Sequence, residues 1–538
     1  MTEQKKYGIV IPAIEGALSP KKDEESISKV QVMQMLYKST RNSQLRLEAS
    51  QVIAQGISDE GGLFVPESFP DLSGEFSDLA KLDYPALAKF IFQKFLTDFT
   101  QEEISACVEK AYTSQKFGNA CPVKLVPLIN QGENKFLLEL WHGPTCAFKD
   151  MALQILPQFL TTALRKVGAG KEAVILTATS GDTGKAALEG FKDVAGTRIL
   201  VFYPRDGVSP MQKQQMATQE GDNVSVCAIE GNFDDAQSSV KQIFTDAEVK
   251  AELAQHDLLF SSANSINWGR LLPQIVYYMY AYLELVRTGK TSLGEPMDVV
   301  VPTGNFGNIL AAYYARKMGL PIRKLVCASN ANKVLTDFIR TGTYDRRREF
   351  HATASPSMDI LISSNLERLL YDLSGEDSQV LASWMKDLAE TGVYSVSDAV
   401  KAKVQELFYG GFCGDGSTYE CIRELWDSEG YLCDTHTAVA VDVYRQYLKD
   451  TGAAQVPTVI ASTANPYKFS GSVLDALQAD LLKKDDFENL RKLEELTGVE
   501  APAQLRSLRE KPERFSQVIP KDGAADYVRD ALGIGGNP

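Results

Sequence analysis

The sequence predicts an α/β protein built on parallel sheets, preceded by a mainly helical N-terminal region. From about residue 135, short β-rich runs alternate with amphipathic stretches of helical spacing. That alternation is the pattern of parallel strands joined by helical crossovers. Residues 36 to about 125 carry helical patterns instead, as in Tyr84–Phe95 and Glu102–Ser114. At roughly 150 residues per domain, a chain of 538 residues has room for about three domains.

In chain order, residues 1–35 read as a polar extension. Ser58-Asp-Glu-Gly-Gly62 is a turn ahead of a short extended piece, Leu63–Pro66. Strands are expected at Phe136–Leu140, Ala173–Thr177, Arg198–Tyr203, Val224–Ile229, Asp298–Val301, Lys324–Ala328 and Thr458–Ala461. Helices are expected at Lys149–Val167, Gly184–Lys192, Pro210–Thr218, Phe233–Glu248, Trp268–Arg287 and Asn308–Lys317. There is no internal repeat.

Bulk properties exclude several classes. The net charge of −14 lacks the basic footprint of a general nucleic-acid binder. No apolar run approaches the length of a membrane span, and the N-terminal apolar run is short and broken by Pro12. The eight cysteines are scattered without a C-x-x-C pair, the pattern of free thiols in a reducing compartment. The expectation is a cytoplasmic protein. None of the four histidines has metal-ligand spacing, and no G-x-S-x-G elbow supports a serine triad.

In open α/β sheets ligands sit at the carboxyl ends of strands, so the loops after strands carry the chemistry. Trp141–Asp150 places Lys149 among compact and apolar neighbours, Pro144, Cys146, Ala147 and Phe148. Burial disfavours the ammonium form, and a neutral amine attacks aldehydes. Thr177-Ala-Thr-Ser-Gly-Asp-Thr-Gly184 opens a helix with hydroxyls and exposed N–H groups. It suits an anion such as a carboxylate, or equally an ordinary N-cap with a glycine turn. In Val301-Pro-Thr-Gly-Asn-Phe-Gly-Asn308 two glycines let backbone approach a phosphate at a helix N-terminus; the loop matches neither the Walker nor the dinucleotide pattern. Ala461–Lys468 ends a strand with hydroxyls able to meet a ring nitrogen. Ser261–Arg270 joins amides and hydroxyls to an arginine suited to phosphate.

Together these motifs resemble the threonine synthase family, in the longer branch found in fungi and some bacteria. Trp-His-Gly-Pro-Thr-Cys-Ala-Phe-Lys-Asp is similar to that family's lysine motif, Ala-Thr-Ser-Gly-Asp-Thr-Gly to its substrate loop, and Pro-Thr-Gly-Asn-Phe-Gly-Asn to its cofactor-phosphate loop. Tyr37–Arg41, Glu60–Pro66, Ser363–Leu370 and Asp434–Ala438 are further matches, spread over roughly residues 36–490.

The resemblance implies a tryptophan-synthase-β-like (fold type II) enzyme dependent on pyridoxal 5'-phosphate. It implies that Lys149 holds the cofactor as a Schiff base beside Phe148. Gly304, Asn305, Phe306, Gly307 and Asn308 would bind the cofactor phosphate, and Thr463 would face the pyridine nitrogen. Ser180, Gly181, Asp182 and Thr183 would meet the substrate; related enzymes often carry Asn where this chain has Asp182. Asn264, Ser265 and Arg270 would take the substrate phosphate. The implied reaction is conversion of O-phospho-L-homoserine and water to L-threonine and phosphate. Its rivals are a phospho-lyase releasing 2-oxobutyrate, a binding module on an inactive enzyme fold, and a nucleotide-binding enzyme.

The expected layout is an extension over 1–35 and an N-terminal domain over 36–125. A large cofactor domain spans 126–165 and 295–490, a small α/β domain 166–294, and a C-terminal segment 491–538. A monomer or weak homodimer is expected, with a small-molecule substrate and neither nucleic acid nor membrane as partner.

Overall fold

All seven expected strands form, and they divide between two separate sheets. A computed structural model describes residues 34–130, 134–168, 170–179, 181–205, 208–231, 233–453 and 456–534. Most of the polar extension therefore lies outside the described residues, as does Ser180. Met35–Pro538 forms one contact unit.

The larger sheet has the order Phe408–Phe412, Ile322–Ser329, Met297–Pro302, Thr458–Ser462, Lys135–Glu139, Lys124–Pro127. Every pairing is parallel except the last, which is antiparallel. The smaller sheet has the order Val518–Ile519, Val224–Ile229, Thr197–Pro204, Glu172–Ala178, Leu258–Ser261, all parallel. Helices cover both faces of a parallel sheet, so its strands are near-continuously apolar. Met297–Pro302, buried at every residue, fits that rule.

The expected helix Lys149–Val167 is two pieces, Asp150–Leu153 and Leu156–Lys166. Pro157 fits the restart: it lacks an N–H and is favoured in a helix's first turn, where it stands. The expected helix Phe233–Glu248 stops at Thr245. Asp246 then accepts from the Glu248 and Val249 N–H groups and opens a second helix, Ala247–Gln255. Trp268–Arg287 spans the expected residues and is buried along almost its whole length.

Four strands of the two sheets were not expected. Phe408–Phe412 contains two glycines, which read as breakers in sequence. In the fold they admit neighbours: a Cβ on Gly411 would lie 2.6 Å from Val443 Cγ1, and one on Gly410 3.1 Å from Thr336 Cα. Lys124–Pro127, Leu258–Ser261 and Val518–Ile519 are too short to stand out. Val518–Ile519 comes from the segment 491–538, whose helix Ala524–Leu532 also packs into the smaller sheet's core.

The N-terminal region carries the expected helix Tyr84–Phe95, with Asp83 as its cap, and a second at Gln101–Ala111. The second ends earlier than the sequence pattern implied, and a separate short helix starts at Ser114. The region also holds a three-stranded antiparallel sheet in which Tyr37–Ser39 lies between Asn42–Leu47 and Phe64–Pro66. All eight cysteines are free thiols; seven are buried and Cys121 is half-buried. Among the described residues no helix is long and apolar enough to cross a membrane, and no side-chain cluster could hold a metal ion.

Candidate active site

The loop that ends in Lys149 is fastened to the loop after the adjacent strand. Leu140 N–H donates to the Ser462 carbonyl (3.0 Å), Phe148 N–H to Thr463 (2.8 Å), and Asn465 N–H to Cys146 (3.0 Å). Thr145 grips Asp150 twice, by its N–H and its hydroxyl, each at 2.8 Å. A Cβ on Gly143 would fall 2.5 Å from Asp150, so a glycine is needed there. Burial raises the Asp150 carboxyl to a pKa of about 6. Lys149 is thereby fixed at the head of a short helix, 9% exposed.

Desolvation lowers the Lys149 amine to a pKa of about 8; Asp182 opposes that shift, while Lys468 and Arg270 add to it. The amine lies 3.4 Å from Ser357 Oγ and 3.6 Å from Asp182 Oδ2. Asp182 is nearly buried, yet charged neighbours, Lys468 foremost, hold its carboxyl far below the usual range. Lys468 Nζ, wholly buried, stands 2.7 Å from Asp182 Oδ1 and donates to the Thr145 carbonyl at 2.9 Å. Gln212 Nε2 and Ser357 Oγ each donate to Asp182 at 3.1 Å. Gly181 precedes Asp182 at φ +138°, and a Cβ there would lie 2.3 Å from Gln212 Cδ.

Ser357 is held in turn by a buried pair. Its N–H donates to His436 Nε2 (3.2 Å), and His436 Nδ1 is 2.8 Å from Asp434 Oδ1. Because Nε2 accepts, the proton is assigned to Nδ1, which donates to Asp434.

The loop after Met297–Pro302 makes the third wall. Phe306 is buried at φ +64°, an unusual backbone for an aromatic residue and typical of functional turns. A Cβ on Gly304 would meet the Ser357 carbonyl at 2.8 Å. Asn308 accepts from the hydroxyls of Tyr277 (2.8 Å) and Tyr278, while its own buried Nδ2 has no partner among the described residues. Asn365 ties this loop to the next, since its Nδ2 donates to the Asn305 carbonyl and to Ser265 Oγ, both at 3.1 Å. Arg270 is 6% exposed, donates to the Ala263 carbonyl, and has no carboxylate within 4.0 Å among the described residues. Burial lowers its pKa to about 10. An unpaired buried cation of this kind is costly unless an anion joins it.

Of the sequence-predicted residues, Asp182 touches Lys149 directly. Thr463 anchors the lysine loop through its carbonyl, and Gly304 lies against the Ser357 loop. Ser265 is linked to Asn305 by Asn365, and the charge of Arg270 is felt at Lys149. Gly307 opens the helix Gly307–Lys317. Asn264 sits in a turn, its N–H 3.2 Å from Ser262 Oγ, and Thr183 is half-buried on the helix Asp182–Phe191. Ser357, Gln212, His436 and Asn365 were not anticipated as site residues. His436 and Asn365 fall in stretches that stood out as motifs, whereas Ser357 and Gln212 carry no local signal. Lys468 lay in a loop singled out for its hydroxyls, not for its amine.

Three family profiles match the chain: threonine synthase N terminus over residues 36–112, pyridoxal-phosphate dependent enzyme over 122–399, and threonine synthase C-terminal over 437–529. Human threonine synthase-like 1 is 41% identical over 440 residues, covering 80% of this chain and 58% of the human protein. The chain therefore spans a little over half the length of that relative. Threonine synthase of Saccharomyces cerevisiae is 35% identical over 468 residues, covering 82% of this chain and 89% of the yeast protein. The crystal structure of PLP-bound threonine synthase from Brucella melitensis superposes with a TM-score of 0.81 at 34% identity, covering 92% of this chain and 99% of that one.

Proposed function

The chain belongs to the pyridoxal-phosphate-dependent threonine synthase family, and on that premise we propose that it converts O-phospho-L-homoserine and water to L-threonine and inorganic phosphate. The observation that carries the reading is the buried Lys149 amine, its pKa lowered to about 8 in part by the charge of Arg270, a buried arginine with no carboxylate within 4.0 Å among the described residues. One group is fit for carbonyl and proton chemistry, the other for a phosphate.

The residues present fit the cofactor. Asn308 Nδ2, without a partner among the described residues, and the glycine-lined turn at Gly304–Gly307 are suited to a phosphate group. In this reading Lys149 would hold the cofactor beside Phe148, Gly304–Asn308 would bind its phosphate, and Thr463 would face its ring nitrogen. When bound, pyridoxal phosphate supplies an electron sink for carbanion chemistry.

This chain's own groups do the rest. The Lys149 amine is the base placed to take and return protons at the substrate's α- and β-carbons. N–H groups and hydroxyls of Ser180–Thr183 would orient the substrate carboxylate. Arg270, with Asn264 and Ser265, would stabilise phosphate as it leaves the γ-carbon. A water molecule then adds at the β-carbon. A cytoplasmic location fits the eight free thiols.

A second reading, phosphate elimination with release of 2-oxobutyrate, is kept for one reason. Of the two relatives compared by sequence, the more identical is named threonine synthase-like rather than threonine synthase. Incubation with O-phospho-L-homoserine and cofactor, followed by product identification, separates the two: threonine supports the first, 2-oxobutyrate the second. Lys149→Ala should abolish both visible cofactor absorbance and turnover. A variant that keeps both removes Lys149 from its role.

A further inference from the structure

Two buried lysines share one carboxylate in this site. Lys468 Nζ is 2.7 Å from one oxygen of Asp182, and Lys149 Nζ is 3.6 Å from the other. Lys468 also donates to the Thr145 carbonyl. Among the described residues Lys149 has the Ser357 hydroxyl at 3.4 Å and the face of the Phe148 ring at 5.1 Å as further contacts, and that hydroxyl in turn donates to Asp182. Arg270 adds a third buried positive charge whose field reaches Lys149. Asp150, gripped by Thr145, is a second carboxylate whose charge is felt by Lys468 and not by Lys149; with a pKa of about 6 it is ionised at pH 8. His436 is one step removed, behind Ser357, and accepts a hydrogen bond there.

With two carboxylates, Asp182 and Asp150, for three cations in a buried site, one amine is pressed to release its proton. The geometry decides which. Lys468 has the shorter ion pair and a carbonyl acceptor besides. Lys149 has the longer pair, on an oxygen it shares with Ser357.

We propose that Lys468 is a positioning residue of this site: it claims Asp182 as its own counter-ion and so leaves Lys149 as the lysine that gives up its proton and reacts with carbonyl groups. On this view Asp182 does not face the substrate as an anion receptor. Its oxygens are filled by Lys468, Gln212, Ser357 and Lys149, and its task is to sort the two amines. The inference rests on the reading of Lys149 as the reactive lysine.

The test is competitive acetylation of lysines in the full-length chain, freed of cofactor by hydroxylamine and dialysis. Site-resolved mass spectrometry would follow labelling from pH 6 to 11. In the unsubstituted protein Lys149 should label at pH 8 well ahead of surface lysines, and Lys468 should be protected. In Lys468→Met the pair Asp182–Lys149 becomes exclusive, so Lys149 labelling at pH 8 should fall at least tenfold and its titration should move upward. Lys468→Arg keeps the charge and should behave as the unsubstituted protein does. Lys468→Met combined with Asp182→Asn removes both charges and should restore Lys149 labelling.

Should Lys468→Met fail to fold, Asp182→Asn alone decides: Lys468 should then become open to labelling near pH 9. Labelling of Lys149 within twofold of the unsubstituted protein in folded Lys468→Met overturns the proposal, as does a Lys468 that stays protected in Asp182→Asn. An unsubstituted Lys149 that labels no faster than a surface lysine overturns the proposal together with the reading beneath it.

Discussion

Lys149 is one of many lysines in the chain, and its distinction is thermodynamic. Unfolded, its amine titrates near 10.5; folded, near 8. Between those values the unfolded chain carries a proton the folded chain does not, so stability rises with pH across that window. Below pH 8 the folded protein must bury the charged amine, at a cost on the order of 3 kcal/mol. Lys149→Met in the cofactor-free protein should therefore raise stability at pH 7, and the gain should fade between pH 8 and 10.5. Urea unfolding across that range measures it; a gain that does not vary with pH would mean the charge is not its source. At this scale the site was partly legible. Lys149 and Asp182 stand in short loops whose local chemistry is visible. Ser357 comes to Lys149 from 208 residues away, and Gln212 meets Asp182 across 30. Neither approach leaves a mark on its neighbours in sequence.

Among the elements, the turn into Asp182–Phe191 is the most demanding. Gly181 takes φ +138° with Gln212 packed where a side chain would begin. Gly181→Ala combines backbone strain with overlap, for a loss of about 2 to 4 kcal/mol. It should also lower turnover at least tenfold by displacing Asp182. Gly452→Ala is the fitting comparison. It too has a positive φ, +57°, but open space around it, so only the backbone penalty of about 1 kcal/mol applies. Equal thermal shifts in the two variants would refute the crowding at Gly181. Elements with long apolar runs, such as Met297–Pro302, were readable because parallel strands are buried on both faces. Phe408–Phe412 was not, since its glycines serve close packing against two helices rather than a turn.

For the whole molecule, the smaller sheet is completed by the chain's far end. Ile519, Ala524, Val528 and Leu532 are buried in its core, and Val518–Ile519 covers the outer side of Val224–Ile229. At about 1.5 to 3 kcal/mol for each large apolar side chain, this is of the same order as a domain's net stability. Truncation before Ser516 should lower the melting temperature by at least 10 °C or render the protein insoluble by exposing a strand edge. A shift under 2 °C would show that the segment is dispensable. Strand-and-helix alternation made two parallel sheets predictable in outline. It could not reveal that a two-residue strand some 290 positions later closes one of them, because so short a strand has no period of its own.

The distribution of thiols gives the molecule built-in reporters. Cys227 lies within the smaller sheet and Cys327 within the larger, both sealed from solvent, while Cys121 is half-open. A disulfide-exchange reagent applied to the natural chain would therefore react early at Cys121. Each buried sulfur would follow only as fast as its own layer opens, so the order of modification would time the loosening of the two layers without an engineered probe.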